Sequence, residues 1–358
     1  MKYEYWLANI KGIGNRQKRE IRASIKSAEE LYYIDEKKLE TFIEDKNVKS
    51  TIIKSIRDWQ IDQEYEKLVR KNVRFISIFD KDYPERLKHI TSWPYALYVK
   101  GELPKEDTLS IAIVGARKCS PYGAAMARDF AKELTENDIQ IISGMALGID
   151  GYAQKAALEN GGKSFGVLGN GVDICYPREN FELYMQLTEK GGLISEQPLG
   201  MQPFKNFFPA RNRIISGLSD IILVIEAQEK SGSLITADLA LEQGKDVYAL
   251  PGNVTSGLSK GCHNLIKQGA GILLSPQEFL EELGIFHKSK IKKVTENKKL
   301  LETEENIVYS CLDFEPKNPD QISKKTGLSI KKVVNNLINL ELKGYIREVS
   351  KNNYVKQK

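Results

Sequence analysis

The chain has few of the residues that build metal centres, disulfide scaffolds and nucleophilic active sites. Its 358 residues include four cysteines and three histidines. The cysteines are too widely spaced for metal-ligand pairs or a disulfide framework; they are Cys119, Cys175, Cys262 and Cys311. No histidine lies near a serine or cysteine nucleophile motif, and the adjacent Cys262 and His263 lack metal-ligand spacing. We therefore expect reduced thiols, no metal, no cofactor and no catalytic residue.

Long apolar runs are also missing. No stretch approaches the ~20 apolar residues that a membrane-spanning helix needs. The first residues, MKYEYWLANIKGIG, lack the apolar core of a signal peptide. These absences predict a cytoplasmic protein without a membrane partner. The formal net charge of +5, from 53 basic and 48 acidic residues, is too small to establish a polyanionic partner by itself.

The signatures of nucleotide hydrolysis and dinucleotide binding are absent as well. The sequence contains no G-x-x-x-x-G-K-[ST] phosphate loop and no G-x-G-x-x-G turn followed by a distant acidic residue. It nevertheless carries a small-residue turn, EKSGS at 229–233, that leads into a helix-forming segment. A turn of this kind usually holds an anion. The question is therefore which phosphate the chain binds without machinery to cleave it.

Residues 1–70 are rich in charge and follow a helical pattern. We expect a small helical domain of the helix-hairpin-helix or SAM-like type there, with a G-x-G turn at 12–14 between two apolar-periodic segments. This turn has two interpretations. Either it connects two helices tightly, or its backbone amides contact a DNA phosphate.

Residues 71–286 have a different pattern, in which short runs of Val, Ile and Leu alternate with helical segments. The expected strands lie within 73–80, 110–117, 139–150, 163–173, 191–196, 220–227 and 246–253, and the expected helices at 121–135, 149–159, 210–217, 233–243 and 261–269. Such an alternation predicts an α/β domain with a parallel sheet that is covered by helices on both faces. Ligands of these sheets bind at the carboxyl ends of the strands, so the Gly-rich strand ends predict one crevice.

The remaining residues predict a basic linker and a further domain. Residues 287–300 are lysine-rich and have no apolar period, as in a solvated spacer. Residues 301–358 predict a winged helix-turn-helix domain, with helices at 322–327 and 329–342 and a terminal hairpin. The exposed polar residues expected on the second helix are Lys331, Lys332, Asn335, Asn336 and Asn339. Because this set contains only two cations, DNA contact and protein interaction both remain open for this domain.

The strand-end loops of 71–286 contain the residue types that bind phosphate. Glycine lets the backbone approach a ligand, hydroxyls and helix-start amides hold phosphate oxygens, and arginine binds phosphate in a bidentate manner. Tyr176 and Phe208 either stack on bases or fill the rim and the core. The candidate residues for phosphate or single-stranded DNA are Gly115, Arg117, Ser143, Gly144, Met145, Ala146, Gly169, Tyr176, Arg178, Phe208, Arg211, Asn212, Arg213, Lys230, Ser231, Gly232, Ser233 and Thr236.

Two roles in this set depend on orientation. Arg211 and Arg213 flank Asn212 at a helix start and cannot both face the same way, so we expect one to contact the ligand and the other to brace the structure. Asp150 caps a helix or complements its dipole. A catalytic role for Asp150 would need a partner base, which the sequence does not show.

Four segments follow one another along the chain: SGMALGIDGYAQKAAL, FPARNRIISGLS, EAQEKSGSLITADLALEQGKDVYALPG and SKGCHNLIKQGA. In this order they closely resemble the DNA-processing protein family DprA, also called Smf. The resemblance covers residues 75–285, and the flanking segments fit it. It implies a helical N-terminal domain, an extended Rossmann-like domain and a C-terminal winged-helix domain.

The resemblance also implies a function. It implies a non-enzymatic homodimer, formed through the Rossmann-like domain, that binds and protects incoming single-stranded DNA in natural transformation. The bound strand would then be loaded with the RecA recombinase for homologous recombination. By motif, Arg117 of VGAR and Arg178 of YPREN match the family's basic phosphate-binding positions. Gln154 and His263 depart from the family's usual His and Asn, so neither position is expected to support indispensable chemistry.

An enzymatic alternative comes from the same architecture. The sheet also resembles that of the lysine-decarboxylase-like nucleoside-monophosphate phosphoribohydrolases, in which Glu226 or Asp150 would serve as an acid. The PGGxGTxxE signature of those enzymes is absent, and PGNVTSG at 251–257 is a poor substitute. A crevice that senses a small regulatory nucleotide is a third interpretation.

Overall fold

The computed structural model describes residues 1–285, 303–313, 316–350 and 352–356. The chain forms two units, Met1–Phe286 and His287–Lys358. The basic linker expected at 287–300 lies outside the described residues. The domain boundary expected near residue 70 falls inside the first unit and stays a prediction.

The first 70 residues form short helices, as their charge pattern predicts. The helices are α1 (Lys2–Asn9), α2 (Asn15–Ala23), α3 (Ala28–Tyr32), α4 (Glu36–Phe42), α5 (Lys46–Asp58) and α6 (Ile61–Arg70). They pack around Trp6, which is fully buried and donates its indole N–H to Ser55 Oγ at 2.8 Å. Gly12 has a φ of +84° in the turn between α1 and α2. This left-handed conformation suits glycine, and the turn connects two helices.

A nine-stranded sheet forms the centre of the first unit. Its strands are β1 (Arg74–Ser77), β2 (Ala96–Gly101), β3 (Ser110–Val114), β4 (Gln140–Ser143), β5 (Ser164–Val167), β6 (Gly192–Ser195), β7 (Ile221–Val224), β8 (Asp246–Ala249) and β9 (Gly271–Ile272). The strand order is β1-β2-β6-β5-β4-β3-β7-β8-β9. Neighbouring strands along β6-β5-β4-β3-β7-β8-β9 are parallel to one another, whereas β2 is antiparallel to both β1 and β6. The carboxyl ends of the parallel strands therefore share one edge.

Helices cover both faces of this sheet. They are α7 (Pro121–Glu136), α8 (Ile149–Glu159), α9 (Phe181–Lys190), α10 (Phe207–Leu218), α11 (Gly232–Glu242), α12 (Lys260–Lys267) and α13 (Pro276–Glu282). Alternate residues of β3 face opposite layers: Ile111 packs with α7, α8 and α13, and Ala112 packs with α10, α11 and α12. Burial on both faces explains why these strands are continuously apolar. The predicted α/β sheet is confirmed.

The second unit has the winged-helix arrangement that the sequence predicts. Its elements are α14 (Thr303–Cys311), α15 (Pro319–Thr326), α16 (Ile330–Leu342), β10 (Ile346–Ser350) and β11 (Asn353–Lys356). A capping box starts α15: the Gln321 amide donates to Asn318 Oδ1 at 2.9 Å, and the Asn318 amide donates to Gln321 Oε1 at 3.0 Å. Gly327, with a φ of +71°, ends that helix.

One residue that the sequence predicts on the exposed face of α16 is buried instead. Asn336 is 8% exposed, and its Nδ2 donates to the Lys332 carbonyl at 2.9 Å, so it packs within the unit. Among the described residues, no helix is long and apolar enough to cross a lipid bilayer.

Candidate nucleic-acid interface

The loops that follow β3, β4, β5, β6 and β7 meet around one open cavity of about 490 Å³. Each loop contributes at least one side chain or backbone segment to its wall. The lining residues are Val114, Gly115, Arg117, Ala146, Asp150, Tyr176, Lys205, Phe208, Pro209, Arg211, Asn212, Ile215, Ser231, Gly232, Ser233, Ile235 and Thr236. The predicted convergence of the strand-end loops is therefore seen in the structure.

The small-residue turn at 229–233 forms one side of this cavity. It leads into α11, whose N-cap Ser231 accepts the Ser233 amide at 3.4 Å. No acidic residue lies in the first turn of α11, so the positive end of the helix dipole is not offset there. Asn212 Nδ2 donates to the Gly232 carbonyl at 3.2 Å and fixes this turn against α10. The arrangement suits a phosphate oxygen.

Two exposed cations, Arg117 and Lys205, stand on the cavity wall. The Arg117 guanidinium lies 5.6 Å from the centre of the Phe208 ring, within the range of a cation–π contact. The Phe208 ring lies 5.6 Å from the ring of Tyr176, which is 41% exposed. In the described part of the chain, neither cation forms an ion pair with a carboxylate. Their charge is therefore available to a ligand.

Arg211 forms the floor of the cavity and is only 6% exposed. Its Nη1 donates to the Gly144 carbonyl at 2.9 Å and also to the Val167 carbonyl, and its Nε donates to Asn212 Oδ1 at 3.2 Å. These bonds tie the loop after β4 to the end of β5. Arg211 therefore holds the cavity wall in position. The N–H groups that form these bonds are not available to a phosphate.

Asp150 compensates the buried charge of Arg211. Its Oδ2 accepts the Gly144 amide at 3.0 Å, so the Gly144 peptide is held on both sides. Burial raises the pKa of the Asp150 carboxyl, and the charge of Arg211 and the Gly144 hydrogen bond oppose that rise. Burial likewise lowers the pKa of Arg211 to about 10, against the effect of Asp150. Asp150 and Arg211 therefore face each other across Gly144 beneath the cavity.

The loop after β4 is packed too closely to tolerate side chains at its glycines. A Cβ on Gly144 would lie 2.6 Å from Arg211 Nη2 and 2.7 Å from Asp150 Oδ2. Gly148 has a φ of +77°, and its Cβ would overlap the carbonyl oxygen of Ala116. Gln154 is buried and accepts the Met145 amide at 3.0 Å. It holds this loop in place.

Several predicted residues do not line the main cavity. Ser143 and Met145 are fully buried, and Gly169 packs against the Phe208 ring. Arg178 and Lys230 are exposed on the segments beside the wall. Gly144 lines a smaller adjoining cavity of about 60 Å³.

Arg213 is a bracing residue. Its Nη2 lies 2.6 Å from Glu196 Oε2, both side chains are largely buried, and Asn15 of α2 donates to the same carboxylate at 3.4 Å. Arg213 therefore fits the expected bracing role, whereas Arg211 lines the cavity and also braces its wall; which arginine contacts a ligand stays a prediction. A close ion-pair partner neutralises Arg213, and backbone carbonyls take up the donors of Arg211.

Lys205 was missed in the sequence. It lies two residues before α10, in a segment with no glycine directly after the strand. The signal that could have found it is a cation just before the start of a helix.

The second acid of the enzymatic alternative, Glu226, is buried and accepts the Ser120 amide at 2.8 Å and the Ser120 hydroxyl at 2.5 Å. It does not line the cavity. Among the described residues, no group of His, Cys, Asp and Glu is arranged to hold a metal ion.

A family model described as DNA recombination-mediator protein A matches residues 74–284, which is more than half of the chain. The chain belongs to this family. A second model, described as the DprA winged helix domain, matches residues 295–350. The resemblance, the parallel-sheet domain and the winged-helix domain predicted from the sequence are confirmed for this recombination-mediator family member, whereas the type of the N-terminal helical domain stays a prediction.

Two curated relatives show how far the likeness extends. This DprA-family chain is 40% identical over 289 residues to Protein Smf of Escherichia coli (strain K12), a match that covers 79% of this chain and 77% of the relative. It is 43% identical over 226 residues to DNA processing protein DprA of Streptococcus pneumoniae, covering 63% of this chain and 80% of the relative.

Two solved structures of DNA processing protein A are also similar to this chain. The X-ray structure of DNA processing protein A from Streptococcus pneumoniae matches with a TM-score of 0.69 at 36% identity, covering 79% of this DprA-family chain and 98% of that chain. The DNA processing protein A of Helicobacter pylori matches with a TM-score of 0.55 at 30% identity, covering 61% and 99%. That protein is described for its unique mode of binding single-stranded DNA.

Proposed function

We propose that this chain binds single-stranded DNA in the cavity at the strand ends and acts as a mediator of recombination on DNA taken up in transformation. The observation that carries the proposal is the pair of unneutralised cations, Arg117 and Lys205, beside the first turn of α11 and the exposed Tyr176 ring. Cations and helix-start amides bind phosphates, and an accessible aromatic ring stacks on a base. The Helicobacter pylori relative supports the choice of ligand.

The aromatic part of the site favours a single strand over a duplex. In a duplex the faces of the bases are stacked on one another, whereas in a single strand they are available to Tyr176 and Phe208. The cavity walls offer backbone groups and hydroxyls but few groups that could read a base edge. We therefore expect modest sequence preference and a strong dependence on salt.

Fluorescence anisotropy with a labelled oligothymidylate and a duplex of equal length tests this proposal. The full chain should bind the single strand more tightly, and the logarithm of its affinity should fall linearly with the logarithm of salt concentration. Equal binding of both forms, or no binding at low salt, would overturn it. A mononucleotide titration would then test the nucleotide-sensing interpretation.

The proposed mediator role has two further parts, RecA loading and the absence of catalysis. RecA loading is supported by the description of the family as recombination mediators. The absence of catalysis is supported by the engagement of both candidate acids, Asp150 and Glu226, in buried hydrogen bonds. The chain should raise the rate at which RecA assembles on strands coated with a single-strand-binding protein, and incubated strands should keep their mass. Cleaved strands, or an unchanged RecA assembly rate, would contradict the respective part.

A homodimer is the proposed assembly state. Three apolar side chains near the β9 edge of the sheet support it, since Leu241, Ile272 and Leu274 are 53%, 49% and 68% exposed. Exposed apolar groups beside an unpaired strand edge are typical of an interface. Light scattering after size-exclusion chromatography should give twice the chain mass, and Leu274→Asp should shift that mass toward one chain. A wild-type mass of one chain would contradict the proposal.

Removal of residues 301–358 is expected to leave the affinity for single-stranded DNA unchanged within about threefold. The cavity is built entirely from the first unit, and α16 contains only two cations, Lys331 and Lys332. Anisotropy on the truncated and full chains over the same salt series checks this expectation. A large loss would instead make the winged-helix unit a DNA-binding site.

A further inference from the structure

A second group of loops continues the cavity wall on the side of β8. The loop after β3 hydrogen-bonds to the loop after β7, from the Ala116 amide to the Glu226 carbonyl at 2.7 Å. The loop after β7 bonds in turn to the loop after β8, through Ala227 and Leu258 at 2.8 Å. These three loops therefore form one continuous surface that begins at the cavity and ends at the start of α12.

Three exposed side chains on this surface form what we call the β8 rim: Lys118, Tyr122 and Lys260. Lys118 follows the cavity residue Arg117, and Lys260 starts α12. Tyr122 belongs to the same surface, because its hydroxyl donates to the Pro251 carbonyl at 3.1 Å and so connects α7 to the loop after β8. Its ring is 47% exposed. Lys118 and Lys260 form no ion pair within the described residues.

The charge of the three loops distinguishes this side from the opposite one. Residues 115–122, 226–231 and 250–260 contain four cations and two carboxylates, and the carboxylate of Glu226 is buried against Ser120. The loop 168–180, on the opposite side, contains one cation, Arg178, and two carboxylates, of which Asp173 is largely buried and pairs with Lys71 at 2.5 Å, so that Glu179 alone opposes Arg178. A polyanion leaving the cavity is therefore attracted more strongly toward β8 than toward β5.

We infer that a single strand held in the cavity continues over the β8 rim, where Lys118 and Lys260 bind two further phosphates and Tyr122 stacks on a base between them. This inference rests on the proposed binding of single-stranded DNA and adds a direction to it. An exposed ring and two lysines on one connected surface form a combination that binds successive nucleotides without reading their sequence. The rim adds affinity only when the strand is long enough to reach it.

The length dependence of binding by the full chain tests this subsite. Oligothymidylates of about 4 and about 16 nucleotides span the range of single-strand sites. We expect Lys118→Ala with Lys260→Ala to weaken binding of the longer strand about tenfold and that of the shorter strand less than about twofold. The slope of log affinity against log salt should fall by about 1.4 for the longer strand, at about 0.7 per lost phosphate contact.

Lys132→Ala with Lys267→Ala is the matched control. These lysines are exposed near the far ends of α7 and α12, away from the carboxyl edge of the sheet, and should leave both affinities unchanged. Tyr122→Phe should keep the affinity for the longer strand, whereas Tyr122→Leu should reduce it about fivefold or more because the stacking surface is lost.

The outcomes separate this inference from the proposed function. Wild-type chain that binds both lengths equally, or rim variants that lose both lengths to the same degree or neither, would overturn the rim and leave the cavity site in place. A wild-type chain that binds neither length would overturn the cavity site itself. A loss confined to the longer strand supports the rim.

Discussion

Replacement of Arg117 and Lys205 together by alanine is expected to weaken binding of single-stranded DNA by at least about 100-fold. Each cation stands unpaired on the cavity wall, and a hydrogen bond to a charged group contributes about 1.5–3 kcal/mol. Two such contacts correspond to about 3 kcal/mol or more, at tenfold per 1.4 kcal/mol. Arg117→Ala also removes the cation over the Phe208 ring. Anisotropy with a labelled oligothymidylate at fixed salt measures the loss.

The salt dependence of the same variant identifies the kind of contact that was lost. If both side chains bind phosphates, the slope of log affinity against log salt should fall by about 1.4. Arg128→Ala with Lys190→Ala removes the same two charge types from exposed positions on α7 and α9 that do not line the cavity. This control should bind like the wild type. Equal affinities for control and double variant would show that the cavity cations do not bind DNA.

Most of the sheet follows from local pattern. The run 149–159 was predicted as a helix and α8 has those bounds, because an apolar period begins after Gly148 and ends before Gly161. β3 is buried on both faces and is continuously apolar, which the sequence shows directly. Two strands were missed. β9 has two residues and no period, and β2 owes its place to antiparallel pairing with the distant β1 and β6.

Part of the candidate site also follows from the sequence, and part of it does not. The sequence indicates which residues follow the strands, and Gly115, Arg117, Tyr176 and the turn at 231–233 do line one cavity. It does not indicate which arginine is free. Arg213 is neutralised by Glu196, and the donors of Arg211 are taken by the carbonyls of Gly144 in the loop after β4 and of Val167 at the end of β5. Such partners are brought together by the tertiary fold, so residue type and spacing do not distinguish a ligand-binding arginine from a bracing one.

Arg211→Met is expected to lower the free energy of unfolding of the first unit by about 3–5 kcal/mol, the usual cost of leaving a buried charge uncompensated. The variant leaves the Asp150 carboxylate buried without its cation, and it removes the donor to the Gly144 and Val167 carbonyls. Urea unfolding followed by tryptophan fluorescence measures the effect. The three tryptophans, Trp6, Trp59 and Trp93, all lie in the first unit, so the signal reports that unit.

The pH dependence of this loss has a definite sign. Burial raises the pKa of Asp150 in the folded chain, and a group with a raised folded pKa contributes stability that is fully present below its unfolded pKa and is lost as pH rises through its folded pKa. Arg211 opposes this rise, so its removal enlarges the loss. The difference in unfolding free energy between wild type and Arg211→Met should therefore be smallest below about pH 4, near the unfolded pKa of an aspartate, and should widen as pH increases.

Asp150→Asn in the Arg211→Met background separates charge from packing. With both charges removed, no uncompensated ion is buried, and an asparagine oxygen can still accept the Gly144 amide. We expect the double variant to recover part of the lost stability and to lose the pH dependence of the single variant. The recovery stays partial because two carbonyls still lack their donor. A double variant no more stable than Arg211→Met would show that Arg211 acts through those carbonyls and that its charge on Asp150 contributes nothing.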